Sequence, residues 1–197
     1  MAGPTHSVVI RAARREDAPD LARLFDIAGE GLPSHFWSGM AGPGEAPLEV
    51  GTRRAARDAG TFSWRNGAMA TIGGATAGAL VGYRIAAAEP VEEAPPIFRP
   101  LQALENRAVG AWYVNILAAY PAFRRRGVAT ALLGEAARRD GGRGGLALIV
   151  ADGNAAALRA YEAFGFAAVS AEPIVTEPGW TSRSGCWLLM RRPASPA

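Results

Sequence analysis

Trp112-Tyr113-Val114-Asn115-Ile116-Leu117-Ala118-Ala119, followed by Arg124-Arg125-Arg126-Gly127-Val128-Ala129-Thr130, is the stretch that decides the fold. The first segment is an apolar, strand-like run. The second turns through three arginines into Ala131-Leu132-Leu133-Gly134-Glu135-Ala136-Ala137-Arg138-Arg139, where Val128, Leu132, Leu133, Ala136 and Ala137 share one helical face. The first turn of a helix leaves backbone N–H groups without intrahelical partners, and its dipole favours negative charge. Gly127 has no Cβ and Ala129 only a methyl, so a bulky anion can approach the backbone. The spacing predicts a cradle for a phosphorylated ligand. An isolated R-x-x-G-x-A would be more at home in an ordinary strand-turn-helix connection with a solvated arginine cluster.

Asn154-Ala-Ala-Ala-Leu-Arg-Ala-Tyr161-Glu-Ala-Phe164-Gly165-Phe166 lies downstream. In this order and separation the two motifs resemble the GNAT superfamily of acyl-CoA-dependent N-acyltransferases. There, [QR]-x-x-G-x-[GA] binds the coenzyme pyrophosphate and N-x-x-A-x-x-x-Y-x-x-x-G-F forms the next helix. The resemblance is tight from Trp112 to Phe166 and loose elsewhere.

The 197 residues suit a single domain over 1–197, with an ordered core from about residue 7 to 192. Half of the residues are apolar and 20% are charged, which fits a soluble globular chain. No apolar run reaches the ~20 residues that cross a bilayer. Met1 to Ser7 lacks the apolar centre of a signal peptide, and with the single Cys186 this leads us to expect a cytoplasmic protein without disulfides. Two histidines, His6 and His35, are too few for a histidine-based metal site, and no metal is expected. Every basic side chain is arginine; without lysine, a Schiff-base or lysine-nucleophile mechanism is impossible.

Ser7 to Ala12 reads as the first strand. Asp17 is placed to cap a helix bearing Leu21, Leu24, Phe25 and Ala28. Gly31 to Trp37 reads as a loop or short helical turn, Met40 to Pro47 as a mobile Gly/Pro-rich link, and Leu48 to Ala59 as a helix. Ala68 to Ile72 and Thr76 to Ile85 flank Gly73-Gly74, a hairpin signal. Ala86 to Pro100 is an acidic, proline-bearing loop, and Leu101 to Asn106 a short helix. Gly141 to Gly145 follows a helix and precedes the strand Leu146 to Val150, the reverse of a dinucleotide fingerprint, and is read as a helix stop. Ala167 to Val169 and Cys186 to Met190 are the last strands, and Pro193 to Ala197 a disordered tail. The order implies an α/β mixed twisted sheet with helices on both faces.

The resemblance implies the GNAT fold, in which the strand Trp112 to Ala119 splays from Leu146 to Val150 to admit the pantetheine arm. It further implies acetyl-CoA as cosubstrate. The pantetheine would meet the backbone of Leu117, Ala118 and Ala119. The pyrophosphate would meet N–H groups at Arg124, Arg125, Arg126, Gly127, Val128, Ala129 and Thr130. Asn154 either offers its amide to the pantetheine or caps its helix, and the two roles can coexist. Tyr161 would be the general acid on the departing thiolate, although its position also suits a ring packed against Leu158 and Phe164. The implied reaction is N-acetyl transfer to a primary amine by direct attack, with a strand N–H holding the oxyanion.

Where the histone-modifying members carry a glutamate on the central strand, this chain has Tyr113. A water relay near Tyr113 and Asn115, a loop carboxylate such as Glu105, and an amine already deprotonated in solution remain open as sources of the neutral nucleophile. The resemblance implies a small-molecule or peptide amine as acceptor, while the motifs themselves address only the donor. Phe36 and Trp37 either wall its pocket or cap the core, and His35 could titrate beside it. A non-catalytic acyl-CoA-binding module is the alternative function. One arginine cluster and a net charge of +3 do not suit nucleic acid, and a monomer or homodimer is expected.

Overall fold

The computed structural model describes residues 7–194. His6 and the last residues of the expected tail lie outside them. Seven strands form one mixed sheet in the order β1-β2-β3-β4-β5-β7-β6. They are β1 Val9–Ala12, β2 Gly67–Ile72, β3 Ala75–Arg84, β4 Trp112–Ala119, β5 Leu146–Ala151, β6 Ala167–Pro173 and β7 Cys186–Arg192. The helices are α1 Ala18–Ala28, α2 Leu32–Ser38, α3 Pro47–Ala55, α4 Arg99–Asn106, α5 Val128–Asp140 and α6 Ala155–Ala163. The first four each carry a proline at the first or second helical position, where its missing N–H costs nothing.

The expected elements are present, with shifted ends. The helix after Leu48 stops at Ala55, and the last two strands run several residues further than their apolar cores suggest. Asp17 does not cap α1 with its side chain. Its carboxylate instead accepts from the Arg14 backbone N–H at 2.7 Å and from both terminal nitrogens of Arg11 at 2.7 Å, which hold it below the usual carboxylate range. A guanidinium within reach gives a charge-assisted bond that outcompetes a neutral cap.

The chain divides into two compact units: the chain up to Val81 with Ile116–Glu135, and Gly82–Asn115 with the chain from Ala136 on. In the first, β1 and β3 flank β2 antiparallel. The β2–β3 hairpin turns through Gly73 (φ 59°) and Gly74 (φ 83°), the doubly left-handed turn that matches strand twist. Its core gathers Leu21, Leu24, Trp37, Val50, Phe62, Met69, Val81 and Ile116. Trp37 is 1% exposed, lies edge-on to Phe25 at 5.8 Å and stacks with Phe62 at 6.0 Å. Of the two roles open to Trp37, the structure gives it the core.

In the second unit, β4 and β5 are parallel, with Trp112 opposite Leu146, Tyr113 opposite Ala147 and Val114 opposite Leu148. β4 runs on to Ala119 and β5 to Ala151 beyond that register. β7 pairs antiparallel with both β5 and β6. The Gly141–Gly145 segment is a helix stop, as read, and Asp140 organises it. Its buried carboxylate accepts from the N–H of Gly144 at 3.2 Å, the N–H of Gly145 at 3.1 Å and Arg84 at 2.8 Å.

Candidate active site

The cradle is built within the first unit. Pro121–Phe123 forms a single 3-10 turn after β4, and the chain then extends through Arg124. Arg125 (φ 59°) and Gly127 (φ 81°) both take left-handed backbone, on either side of Arg126. The left-handed conformation is uncommon for a side chain as large as that of Arg125, and a turn of this kind points successive N–H groups into one concavity. The Gly127 carbonyl accepts the first bond of α5, from the Ala131 N–H at 3.0 Å. Among the described residues, no close hydrogen bond engages the N–H groups from Arg125 to Thr130, and residues 124–127 form turns of looser geometry. N–H groups held so loosely at the start of a 13-residue helix are the chemistry an anion needs.

A Cβ built on Gly127 meets nothing within 4 Å, so the space above the turn is open. The arginine side chains of the triplet are exposed, and that of Arg126 lies 5.6 Å from the Phe123 ring. Exposed charges of this kind add little each, so the backbone is the principal anion contact. Behind the cradle, Gly78 on β3 lies so close that a Cβ there would fall 2.5 Å from the Ala118 carbonyl oxygen and 2.8 Å from Val128. This packing fixes the end of β4 and the beginning of α5. Ala118 is buried, and its neighbours Leu117 and Ala119 are half-buried.

Asn154 and Tyr161 belong to the second unit. The Asn154 side chain caps α6 by accepting from the Ala157 N–H at 3.2 Å. The other end of α6 explains the Gly165-Phe166 pair. Gly165 (φ 93°) donates to the Glu162 carbonyl at 2.9 Å, and Phe166 donates to the Tyr161 carbonyl at 3.0 Å. This is a Schellman cap, and the Tyr161 and Phe166 rings, 5.9 Å apart, supply its usual apolar contact. Tyr161 is 8% exposed, and burial pushes its hydroxyl up to about 12. Its hydroxyl makes no hydrogen bond to the described residues. A packing role accounts for the ring, while the hydroxyl is not among the buried side-chain atoms left without a partner and so can reach solvent or a ligand.

Glu105 is on α4, not on a loop. Burial pushes Glu105 up to about 7; the Tyr113 hydroxyl opposes this and the nearby Glu89 charge adds to it. Tyr113 itself is raised well above its ordinary value, first by burial and then by the Glu105 charge. Asn115, the next residue on that face of β4, is half-buried. Sequence spacing places Tyr113 and Asn115 together but does not show that α4 delivers a carboxylate to Tyr113. His35 lies in the last turn of α2, and Phe36 is half-buried beneath the Arg54 guanidinium at 6.0 Å. Among the described residues, no cluster of His, Cys, Asp or Glu could hold a metal ion, and no helix is long and apolar enough to cross a membrane.

A comparison of the sequence with curated proteins finds no match. Solved structures share the fold. An N-acetyltransferase from Staphylococcus aureus aligns with TM-score 0.65 at 17% identity, over 93% of this chain and 99% of its own. A second acetyltransferase aligns at 0.63 and 19%, over 95% and 100%. A chain of the NatC complex bound to Gag peptide and CoA aligns at 0.55 and 16%, over 96% and 99%. At these identities the likeness shows architecture alone. The family model of the Acetyltransferase (GNAT) family matches residues 44–166, which takes in the hairpin, β4, the cradle and all of α6. The chain therefore belongs to the GNAT acetyltransferase family.

Proposed function

We propose that the protein is an N-acetyltransferase that moves the acetyl group of acetyl-CoA to a primary amine of a small molecule or peptide by direct attack. The observation that carries this reading is the run of N–H groups from Arg125 to Thr130 without a close hydrogen bond, on a turn with two left-handed residues that opens a helix. Such donors suit the negative charge of a pyrophosphate. Leu117, Ala118 and Ala119 would present backbone groups to the pantetheine, and Asn154 would combine its capping role with a contact there. The coenzyme supplies an activated thioester; the protein supplies binding, orientation and a proton donor.

Tyr161 is that donor. At about 12 its hydroxyl is protonated throughout the neutral range. The same burial weakens it as an acid: full transfer to a thiolate of pKa ~8.5 is uphill by about 5 kcal/mol. In this reading, the hydroxyl therefore acts chiefly by hydrogen-bonding the sulfur as charge develops, in a place where no described residue bonds to it.

The test is a melting experiment with acetyl-CoA, paired with thiol release over a panel of amines. Stabilisation together with amine-dependent thiol release supports the proposal. Stabilisation without release from any amine would leave a binding module, and no stabilisation would overturn the reading of the cradle.

A further inference from the structure

Among the described residues, Arg54 is a cation without an anion. It lies in the last turn of α3, half-buried, with its guanidinium 6.0 Å from the centre of the Phe36 ring. Its Nε is buried and has no hydrogen-bond partner, and its Nη1 meets only the Met40 sulfur, a weak acceptor, at 3.8 Å. The carboxylates of the same segment are committed elsewhere. Glu45 is paired with Arg53 and accepts from the Gly42 N–H at 3.0 Å, Glu49 accepts from the Ala46 N–H at 2.7 Å, and Asp58 holds Arg15 and Arg65. Arg57, one turn on, donates from its Nε to the Arg54 carbonyl at 3.1 Å and brings a second positive charge. Burial, and then that charge, press the Arg54 pKa below its ordinary value.

A cation in the last turn of a helix complements the helix dipole. Arg53 in that turn already does so while exposed and paired, so the dipole does not account for a second, desolvated guanidinium. Partial burial of a charge without a counter-ion is destabilising, and an arriving anion offsets it. The surroundings indicate which anion. Phe36 is half-buried beneath the guanidinium, and Met40 beside it is 42% exposed. A carboxylate is satisfied by two parallel N–H bonds from one guanidinium, and the apolar group attached to it can cover Met40.

We propose that Arg54 is the recognition residue of a carboxylate-binding site beside α2 and α3, and that its ligand is a small organic monoanion whose apolar part lies along Met40 and Phe36. The carboxylate belongs either to the acceptor amine or to a separate small molecule. The first case rests on the acetyl-transfer reading; the second stands without it.

The probes are benzoate and hexanoate, titrated into the coenzyme-free protein at constant ionic strength and followed by the melting temperature. Benzamide and inorganic phosphate are the controls. Both carboxylates should stabilise wild type with a saturating dose dependence, and benzamide should not. Arg54→Gln, which keeps much of the stem and removes the charge, should weaken both carboxylates by at least about 10-fold. Met40→Ala, at an exposed position, should weaken hexanoate by about 3- to 10-fold and leave acetate unchanged, a split that a merely structural role would not produce. No shift with either carboxylate, an equal shift with benzamide, or undiminished affinity in Arg54→Gln would overturn the proposal. A larger response to phosphate, or loss of the acetyl-CoA shift in Arg54→Gln, would also overturn it by giving the guanidinium to a phosphate.

Turnover distinguishes the two sources of the carboxylate, because free phenylalanine and phenethylamine differ by that group alone. If the acceptor carries it, Arg54→Gln should raise KM for phenylalanine about 10-fold, with kcat and the KM for phenethylamine unchanged. If the ligand is separate, both KM values should stay as in wild type while the carboxylate-induced shift is lost. Failure of wild type to release thiol with any amine would end the transfer reading and leave the site to be decided by the carboxylate titrations.

Discussion

The Trp37 ring lies so close to Gly51 on α3 that a Cβ there would fall 2.4 Å from it. Glycine inside a helix costs up to ~1 kcal/mol relative to alanine, and here it makes room for the largest side chain in the core. Gly51→Ala should therefore destabilise by about 1–3 kcal/mol despite its better helix propensity. Trp37→Ala should cost about 3–5 kcal/mol. Denaturant unfolding of both would check this, and both should keep acceptor KM within a few-fold.

The cradle makes a sharper demand on Gly127. Acetyl-CoA at ~100 times its dissociation constant should stabilise the wild-type protein by about 2.7 kcal/mol. In Gly127→Asp that gain should vanish, since a carboxylate would stand where the phosphates bind. Aspartate tolerates left-handed backbone better than most residues, so folding should survive. A retained melting shift would remove the cradle from the coenzyme site.

Tyr161→Phe keeps the ring against Phe166 and removes a hydroxyl that no described residue satisfies. Stability should stay within about 1 kcal/mol of wild type, and coenzyme affinity should change little, while kcat falls about 10²-fold. Loss of affinity and stability with an unchanged kcat would make Tyr161 a packing residue.

Asp140 should make the protein acid-sensitive. Burial pushes its carboxyl up, but Arg84 and the N–H groups of Gly144 and Gly145 together hold it below its ordinary value. A depressed folded-state pKa contributes stability above the unfolded value and loses it as pH falls through the folded one. Below about pH 4, wild type should therefore lose this contribution. At pH 7, Asp140→Ala should cost about 2–4 kcal/mol by leaving the two N–H groups and the Arg84 charge without their acceptor. The difference between the two proteins, measured by urea unfolding, should shrink in acid.

Glu105 has the opposite sign. Its folded-state value is raised to about 7, so the unfolded chain ionises first and stability falls as pH rises from ~4.3 towards 7. Glu105→Gln should accordingly melt higher than wild type at pH 8, by up to about 3 kcal/mol in stability, with little difference at pH 4. Equal melting at pH 8 would place Glu105 in contact with water.

Elements held by local rules were legible in the sequence. The β4 run is apolar but for Asn115, as suits a central strand, and its ends at Trp112 and Ala119 were read directly. The Gly73-Gly74 turn, the Gly127 turn and the Gly165-Phe166 cap depend on backbone freedom that only glycine supplies cheaply, so they too were visible. The family followed from two of these local motifs.

What remained hidden depends on partners distant in the chain. Asp17 looks like a cap until Arg11 is folded beside it. Trp37 could face solvent or core until Gly51, fourteen residues on, makes room for its ring. Asp140 gains its clamp from Arg84, 56 residues earlier. Glu105 was one carboxylate among several until α4 set it against the Tyr113 hydroxyl and burial raised its pKa to about 7. Local sequence determines backbone conformation, because torsional and capping energies are settled within a few residues. Charge state and burial are set by whatever the fold brings within a few ångströms, and these only the tertiary structure decided.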